Sequence, residues 1–148
     1  ETAVMTKFLN RHPEQKVTID IPNEIVVVSV DPILIEQVLM NLLENAVFHA
    51  ENMTHIILRV FASERKVIFE IADDGCGIRE DMLKDIFGGT YGTQNNSADG
   101  KKRNAGIGLS VCATIIKAHD GEISAENRKD GGALFRFTLG KEDSAYDE

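Results

Sequence analysis

Two apolar rhythms alternate along this chain. Residues 1–11, ETAVMTKFLNR, set Val4, Phe8 and Leu9 in a short helical stripe that Pro13 ends. KVTIDI (16–21) and EIVVVSV (24–30) are β-rich runs on either side of Pro22-Asn23, and two strands are expected there. Asp31-Pro32 predicts a helix start, because Asp caps the free N–H groups and Pro fits the first helical position. That helix is expected to run to about Ala50. THIILRVF (54–61) and KVIFEI (66–71) flank Ser63-Glu64-Arg65 and read as an antiparallel pair. A short helix is expected over 80–86 and a longer one over 106–119. EISAEN (122–127) and ALFRFTL (133–139) predict a second hairpin across RKDGG.

Three longer helices, a minor one and about six strands result. The strands come mainly in hairpins, with a long helix between the two sets. The expected fold is therefore α+β: a two-layer sandwich with about three helices on one face of a mixed, mostly antiparallel sheet. One domain is expected over 1–140, followed by an acidic tail, 141–148, expected to be disordered. The stretch GGTYGTQNNSADGKKRN, 88–104, has no periodicity and holds four of the twelve glycines. Inside a compact domain such a stretch is a lid, a binding loop or a disordered segment.

Composition narrows the classes. The 148 residues suit one domain, with 43% hydrophobic and 27% charged residues. The net charge of −8, with scattered Lys and Arg, argues against a nucleic-acid surface, though not against one basic loop around a small phosphate ligand. No apolar run reaches the ~20 residues of a membrane span, and no secretory signal is present. The start at Glu1 leads us to expect a piece of a longer protein. Cys76 and Cys112 have no metal-like spacing and are expected to be reduced thiols in a cytoplasmic chain.

Three short stretches could carry chemistry. In ADDGCGI, 72–78, Asp73 ends a strand, and Gly75, Gly77 and Ile78 follow. A carboxylate there could accept from an exocyclic amine, which adenine has and guanine lacks at that position. The glycines would admit a flat ligand and Ile78 would wall it; a tight turn explains the same residues. In NLLENAVFHA, 41–50, Asn41, Glu44, Asn45 and Phe48 fall on one helix face. Either that stripe faces solvent, or an Asn oxygen is offered to Mg²⁺. In NAGIGLSVCATII, 104–116, Gly106 and Gly108 are expected at the mouth of a helix, where N–H groups favour phosphate; close helix packing is the other explanation.

The order N-L-L-E-N-A, D-D-G-C-G-I, G-I-G-L-S, at intervals of about 30 residues, resembles the Bergerat ATP-binding fold. It is similar in particular to the catalytic domain of two-component sensor histidine kinases. NLLENA resembles the N box, DDGCGI the G1 box, Ile86-Phe87 the F box and GIGLS the G2 box. DPILIEQVLMNLLENA and KAHDGEI also resemble that family, over roughly 17–139 in all. GIGLSVCATIIKAH is most similar to KdpD-type sensors.

The resemblance implies ATP and Mg²⁺. Asp73 would hold the adenine amine, with Gly75, Gly77 and Ile78 shaping the base pocket. Asn45 would bind Mg²⁺, and Asn41 would assist. Gly106 and Gly108 would open the backbone to the phosphates, and Leu109 would close the helix start. Residues 88–104 would form a lid whose Lys101, Lys102 and Arg103 either neutralise phosphate or are a solvated charge run. Hydrolysing relatives usually carry a general-base Glu where Asn41 stands, and kinases often carry an acid where Glu44 stands. Phosphoryl transfer to a protein histidine, with slow hydrolysis, is implied.

Three departures stand against the family pattern. Phe48 replaces a frequent Lys or Arg, Asn104-Ala105 stands where another Gly often begins the G2 box, and GGTYG follows the F box. None of His12, His49, His55 or His119 has the context of a phosphoacceptor. The implied partners are a separate dimerisation and phosphoacceptor domain, then a response regulator. The parent would be membrane-anchored, with this portion cytoplasmic. A nucleotide-binding module without transfer, or an anti-sigma-type serine kinase, are the alternatives.

Overall fold

The computed structural model describes residues 2–21, 28–49, 55–88 and 100–141. The side chains of residues 2, 3, 48, 49 and 100–107 lie outside that description, as do most of the strand expected at 24–30, Ala50, the stretch 89–99 and the tail from 142. Helix α1 (Thr2–Arg11) precedes strand β1 (Lys16–Asp20), helix α2 (Pro32–His49) and the hairpin β2 (His55–Ala62) and β3 (Lys66–Asp73). The one-turn helix α3 (Glu80–Leu83), the long α4 (Gly100–Ala118) and the hairpin β4 (Glu122–Asn127) and β5 (Ala133–Gly140) follow.

The strands form one sheet in the order β1-β2-β3-β5-β4. Three neighbouring pairs are antiparallel, as the hairpin spacing predicts. The β1–β2 pair is parallel. A parallel neighbour needs a crossover, and α2 supplies it. The expected mixed, mostly antiparallel sheet is therefore present. From the run at 24–30, Val28 contributes an isolated bridge to Lys141.

Alternation decides which side chains meet the helices. β3 turns Val67, Phe69 and Ile71 inward, and β5 turns Ala133, Phe135, Phe137 and Leu139 inward. They bury against Val38, Leu39 and Leu42 of α2 and Leu109, Cys112 and Ile116 of α4. Phe69 and Phe137, opposite each other in register, stack with centroids 4.6 Å apart. α1 adds Val4, Met5 and Phe8 to the same core. On the other sheet face Arg59, Glu70 and Arg136 are cross-strand neighbours. Arg136 Nη2 lies 2.8 Å and Arg59 Nη1 3.6 Å from the Glu70 carboxylate, which pairs this largely buried acid.

Helix ends follow their local chemistry. Asp31 Oδ1 accepts from the N–H groups of Ile33 at 3.0 Å and Leu34 at 3.3 Å, the cap that the sequence predicts. Helix α3 stops at Leu83, short of the expected 86, and the chain continues in turns. Those turns seat Ile86 in the core and set Phe87 edge-on to Phe135 at 6.2 Å. Helix α4 begins at Gly100, well before the 106–119 periodicity. Lys and Arg are good helix formers, and extending an existing helix adds one bond per residue, so KKR joins it.

At the far end of α4, Gly121 N–H donates to Ile116 O at 2.9 Å and Asp120 N–H to Lys117 O at 3.0 Å. Asp120 has φ +60°. This is a Schellman ending with Asp where Gly is usual. Asp120→Gly should stabilise the fold by about 0.5–1 kcal/mol, seen as a higher denaturation midpoint at unchanged slope.

Candidate functional site

Because β3 alternates, Asp73 continues the inward row of Val67, Phe69 and Ile71. A carboxylate thus occupies the last core position, only 3% exposed. Its Oδ1 accepts from Gly75 N–H at 2.9 Å and from Ala133 N–H at 3.3 Å. Burial pushes its pKa above the ordinary carboxylate value; the two backbone donors and Arg128 offset this in part, and the Asp74 charge adds to it. Both backbone bonds fall on Oδ1, so Oδ2 is the oxygen left for another donor.

Asn45 faces the same place from α2. It is 6% exposed, and its Oδ1 is buried with no hydrogen-bond partner. Leaving such an oxygen unpaired costs on the order of 1–3 kcal/mol. Asn45 and Asp73 line a small pocket with Ala46, Gly77, Ile78, Ala133 and Phe135. Its free space of about 20 Å³ holds about one water, so any larger ligand must part the lining side chains. Two buried acceptors between apolar walls suit a flat heterocycle with an amine, and a cation that prefers oxygen.

The turn after β3 is held from a distance. Gly77 has φ +82°. Asn127 Oδ1 accepts from Ile78 N–H and Asn127 Nδ2 donates to Ile78 O, both at 2.7 Å. Arg128 Nη1 donates to the Asp73 carbonyl at 2.6 Å. Arg128 N–H donates to Gly132 O at 2.9 Å and closes the β4–β5 corner. Gly132 has φ +92° and lies so close that an added Cβ would stand 1.9 Å from the Asp73 carbonyl oxygen. Asn127, Arg128 and Gly132 were not anticipated from sequence. The Gly131-Gly132 pair marks a special turn, but nothing local ties it to a segment some 55 residues earlier.

The other candidates are distributed differently. Asn41 packs on α4 near Gly108, where an added Cβ would lie 3.4 Å from Asn41 Cγ. The nearby Cys112 thiol donates to the Val38 carbonyl at 3.8 Å, and burial pushes its pKa up to about 12. Glu44 is turned toward α1, with Arg11 Nη1 at 3.0 Å and His12 Nε2 at 3.4 Å. One residue rotates a helix by about 100°, so Glu44 and Asn45 cannot both face the pocket. Leu109 is a core residue, 1% exposed. Gly106 and Gly108 are not at a helix mouth: α4 passes through both, and intrahelical bonding occupies their N–H groups. Lys101, Lys102 and Arg103 fall in the first turns of α4 rather than in a loop, and their side chains and that of Phe48 lie outside the described residues.

Gly75, Cys76 and Ile78 follow Asp73 as expected. Neither cysteine is in a disulfide; Cys76 is exposed and Cys112 buried. His12, His55 and His119 are engaged locally, with Glu44, Thr18 and the Asp31 N–H respectively. His49 lies outside the side-chain description. No described helix is long and apolar enough to cross a membrane.

Comparison with known proteins points the same way. Residues 30–143 match the family described as histidine kinase-, DNA gyrase B-, and HSP90-like ATPase. The chain is 38% identical over 137 residues to the sensor protein KdpD of Clostridium acetobutylicum, covering 93% of this chain and 15% of that one. It is 43% identical over 126 residues to the adaptive-response sensory kinase SasA of Nostoc sp., covering 84% of this chain and 31% of that one. Its fold is similar to the nucleotide-free catalytic domain of histidine kinase ThkA, with TM-score 0.76 at 28% identity over 95% of this chain and 91% of that one. The chain thus spans less than a third of the length of these sensor kinases.

Proposed function

Because the chain belongs to the histidine kinase-, DNA gyrase B-, and HSP90-like ATPase family, we propose that it binds ATP between Asp73 and Asn45. It would present the γ-phosphoryl group to a histidine on a separate dimerisation domain. A response regulator would then receive the phosphoryl group. The parent would be a membrane-anchored sensor with this portion in the cytoplasm. One observation carries the reading: two buried side-chain acceptors, one of them unpartnered, line the same apolar pocket.

Asp73 Oδ2 would accept from the adenine amine while Oδ1 keeps its two backbone donors. Gly75 and Gly77 carry no side chain at their own positions in the turn, and Ile78 and Phe135 provide apolar walls. The unpartnered Asn45 Oδ1 fits Mg²⁺, a hard cation that takes oxygen. Mg²⁺ held there would neutralise phosphate charge. Asn41 would support Asn45 from the preceding turn and offers no carboxylate to activate water, which favours transfer over hydrolysis. Glu44 would reach the reacting groups only by leaving its Arg11 and His12 partners.

The phosphates would lie toward the start of α4. The first turn of α4 holds three successive cations and no acidic residue, with Asp99 just before it in the sequence, and its positive dipole end favours an anion. Gly106 and Gly108 would offer N–H groups only where the first turns of α4 unwind.

Calorimetric titration with and without Mg²⁺ tests the Asn45 role. In the wild-type chain Mg²⁺ should tighten ATP binding by about tenfold or more, the scale of one charge-assisted contact. Asn45→Ala should lose most of that dependence. An Asn45→Ala chain with the wild-type Mg²⁺ dependence would contradict the role.

A further inference from the structure

We infer that the β4–β5 corner, through Asn127 and Arg128, sets the purine selectivity of the pocket without touching the ligand. The inference rests on the ATP reading above. The two segments that would contact the base are the end of β3 and the turn 74–78. Neither is held by its own neighbours alone. Asn127 grips Ile78 at both N–H and O, at 2.7 Å each, as a strand would. Arg128 grips the Asp73 carbonyl at 2.6 Å, and Ala133, just beyond the corner, grips the Asp73 carboxylate at 3.3 Å.

The corner therefore fixes both the acceptor and the apolar wall opposite it. The fit around Asn127 is close: a Cβ on Gly77 would stand 2.7 Å from Asn127 Oδ1. Selectivity for a 6-amino over a 6-oxo purine needs the Asp73 oxygen at hydrogen-bond distance from the ring substituent. A shift of about 1 Å in either segment removes that contact. Asn127 is thus a positioning residue, and its loss should affect base discrimination more than phosphate binding.

The test compares ATP with inosine triphosphate, which differs at that ring position by an oxygen in place of the amine. Their dissociation constants are measured by calorimetry for wild type, Asn127→Ala and the isosteric Asn127→Asp. Val67→Ala, at the opposite end of β3, controls for general destabilisation. Both Asn127 variants should lower the ATP-over-inosine-triphosphate ratio about tenfold, the loss expected from roughly one hydrogen bond to a charged group. Val67→Ala should keep the wild-type ratio. Hydrogen exchange at the Ile78 amide should speed up in Asn127→Ala with no nucleotide present.

If wild type discriminates and the Asn127 variants discriminate equally, the corner does not set selectivity. Unchanged Ile78 exchange would likewise overturn the clasp. If wild type binds both nucleotides alike, the adenine reading fails first, and this inference falls with it.

Discussion

Asp73→Asn should abolish ATP binding while leaving the fold as stable or more stable. The two effects have one source. Ionising the wild-type carboxylate places a charge in a site that disfavours it. The amide keeps an oxygen for Gly75 N–H and Ala133 N–H, so the turn retains its bonds. The buried charge is gone. The remaining amide nitrogen, however, would meet the adenine amine donor to donor. Loss of affinity should reach about a hundredfold or more, since a site built to accept a hydrogen bond rejects a mismatched group strongly. The same nitrogen could donate to a 6-oxo purine, so the ATP preference should shrink or reverse.

The pH dependence has a definite sign. Asp73 has a folded pKa raised above its unfolded value. Its protonated form therefore supports folding at acid pH, and that contribution is lost as pH rises through the folded value. The Asn variant has no such loss. Thermal unfolding of the two chains should nearly coincide below about pH 3.8, the unfolded value, and separate as pH rises, with the variant higher. A variant that melts lower than wild type at neutral pH would mean that the wild-type carboxylate is stabilised by interactions stronger than its burial cost.

Gly132→Ala should produce the largest loss of stability of any single methyl addition at this site. The position has φ +92°, and the new carbon would stand 1.9 Å from the Asp73 carbonyl oxygen and 2.7 Å from its carbonyl carbon. Both obstacles are backbone, so no rotamer change relieves them. The cost should be about 3 kcal/mol or more, combining left-handed strain with displacement of paired strands. For a chain of this size that is a melting shift of roughly 10 °C. Gly131→Ala is the internal control. Its φ is +104°, but its added carbon meets nothing within 4 Å, so it should lose only about 1 kcal/mol. Equal losses at both positions would assign the effect to backbone conformation and not to the contact with Asp73.

What could be read from sequence was whatever local chemistry determines. Asp31-Pro32 caps α2 as its residue types require, and the alternation of KVIFEI carries through to an inward Asp73. The two hairpins follow from their turns. Asn45 and Asp73, predicted from separate stretches, do line one pocket. What escaped is set by pairing across the chain. The grip of Asn127 on Ile78 joins residues 49 apart and leaves no periodic trace. Glu44 was expected on one face with Asn45, but adjacent helix residues point about 100° apart, and Glu44 meets Arg11 and His12 instead. Gly106 and Gly108 were expected at a helix mouth, with close helix packing as the other explanation; α4 runs through both, and the close approach of Asn41 to Gly108 bears out the packing explanation there.

The most direct test of the central claim is calorimetric titration of the wild-type chain with ATP and with GTP, both in the presence of Mg²⁺. The account predicts saturable binding of ATP and at least about a hundredfold weaker binding of GTP, because Asp73 offers an acceptor where guanine presents an oxygen. Equal binding of the two nucleotides, or binding of neither, would contradict it.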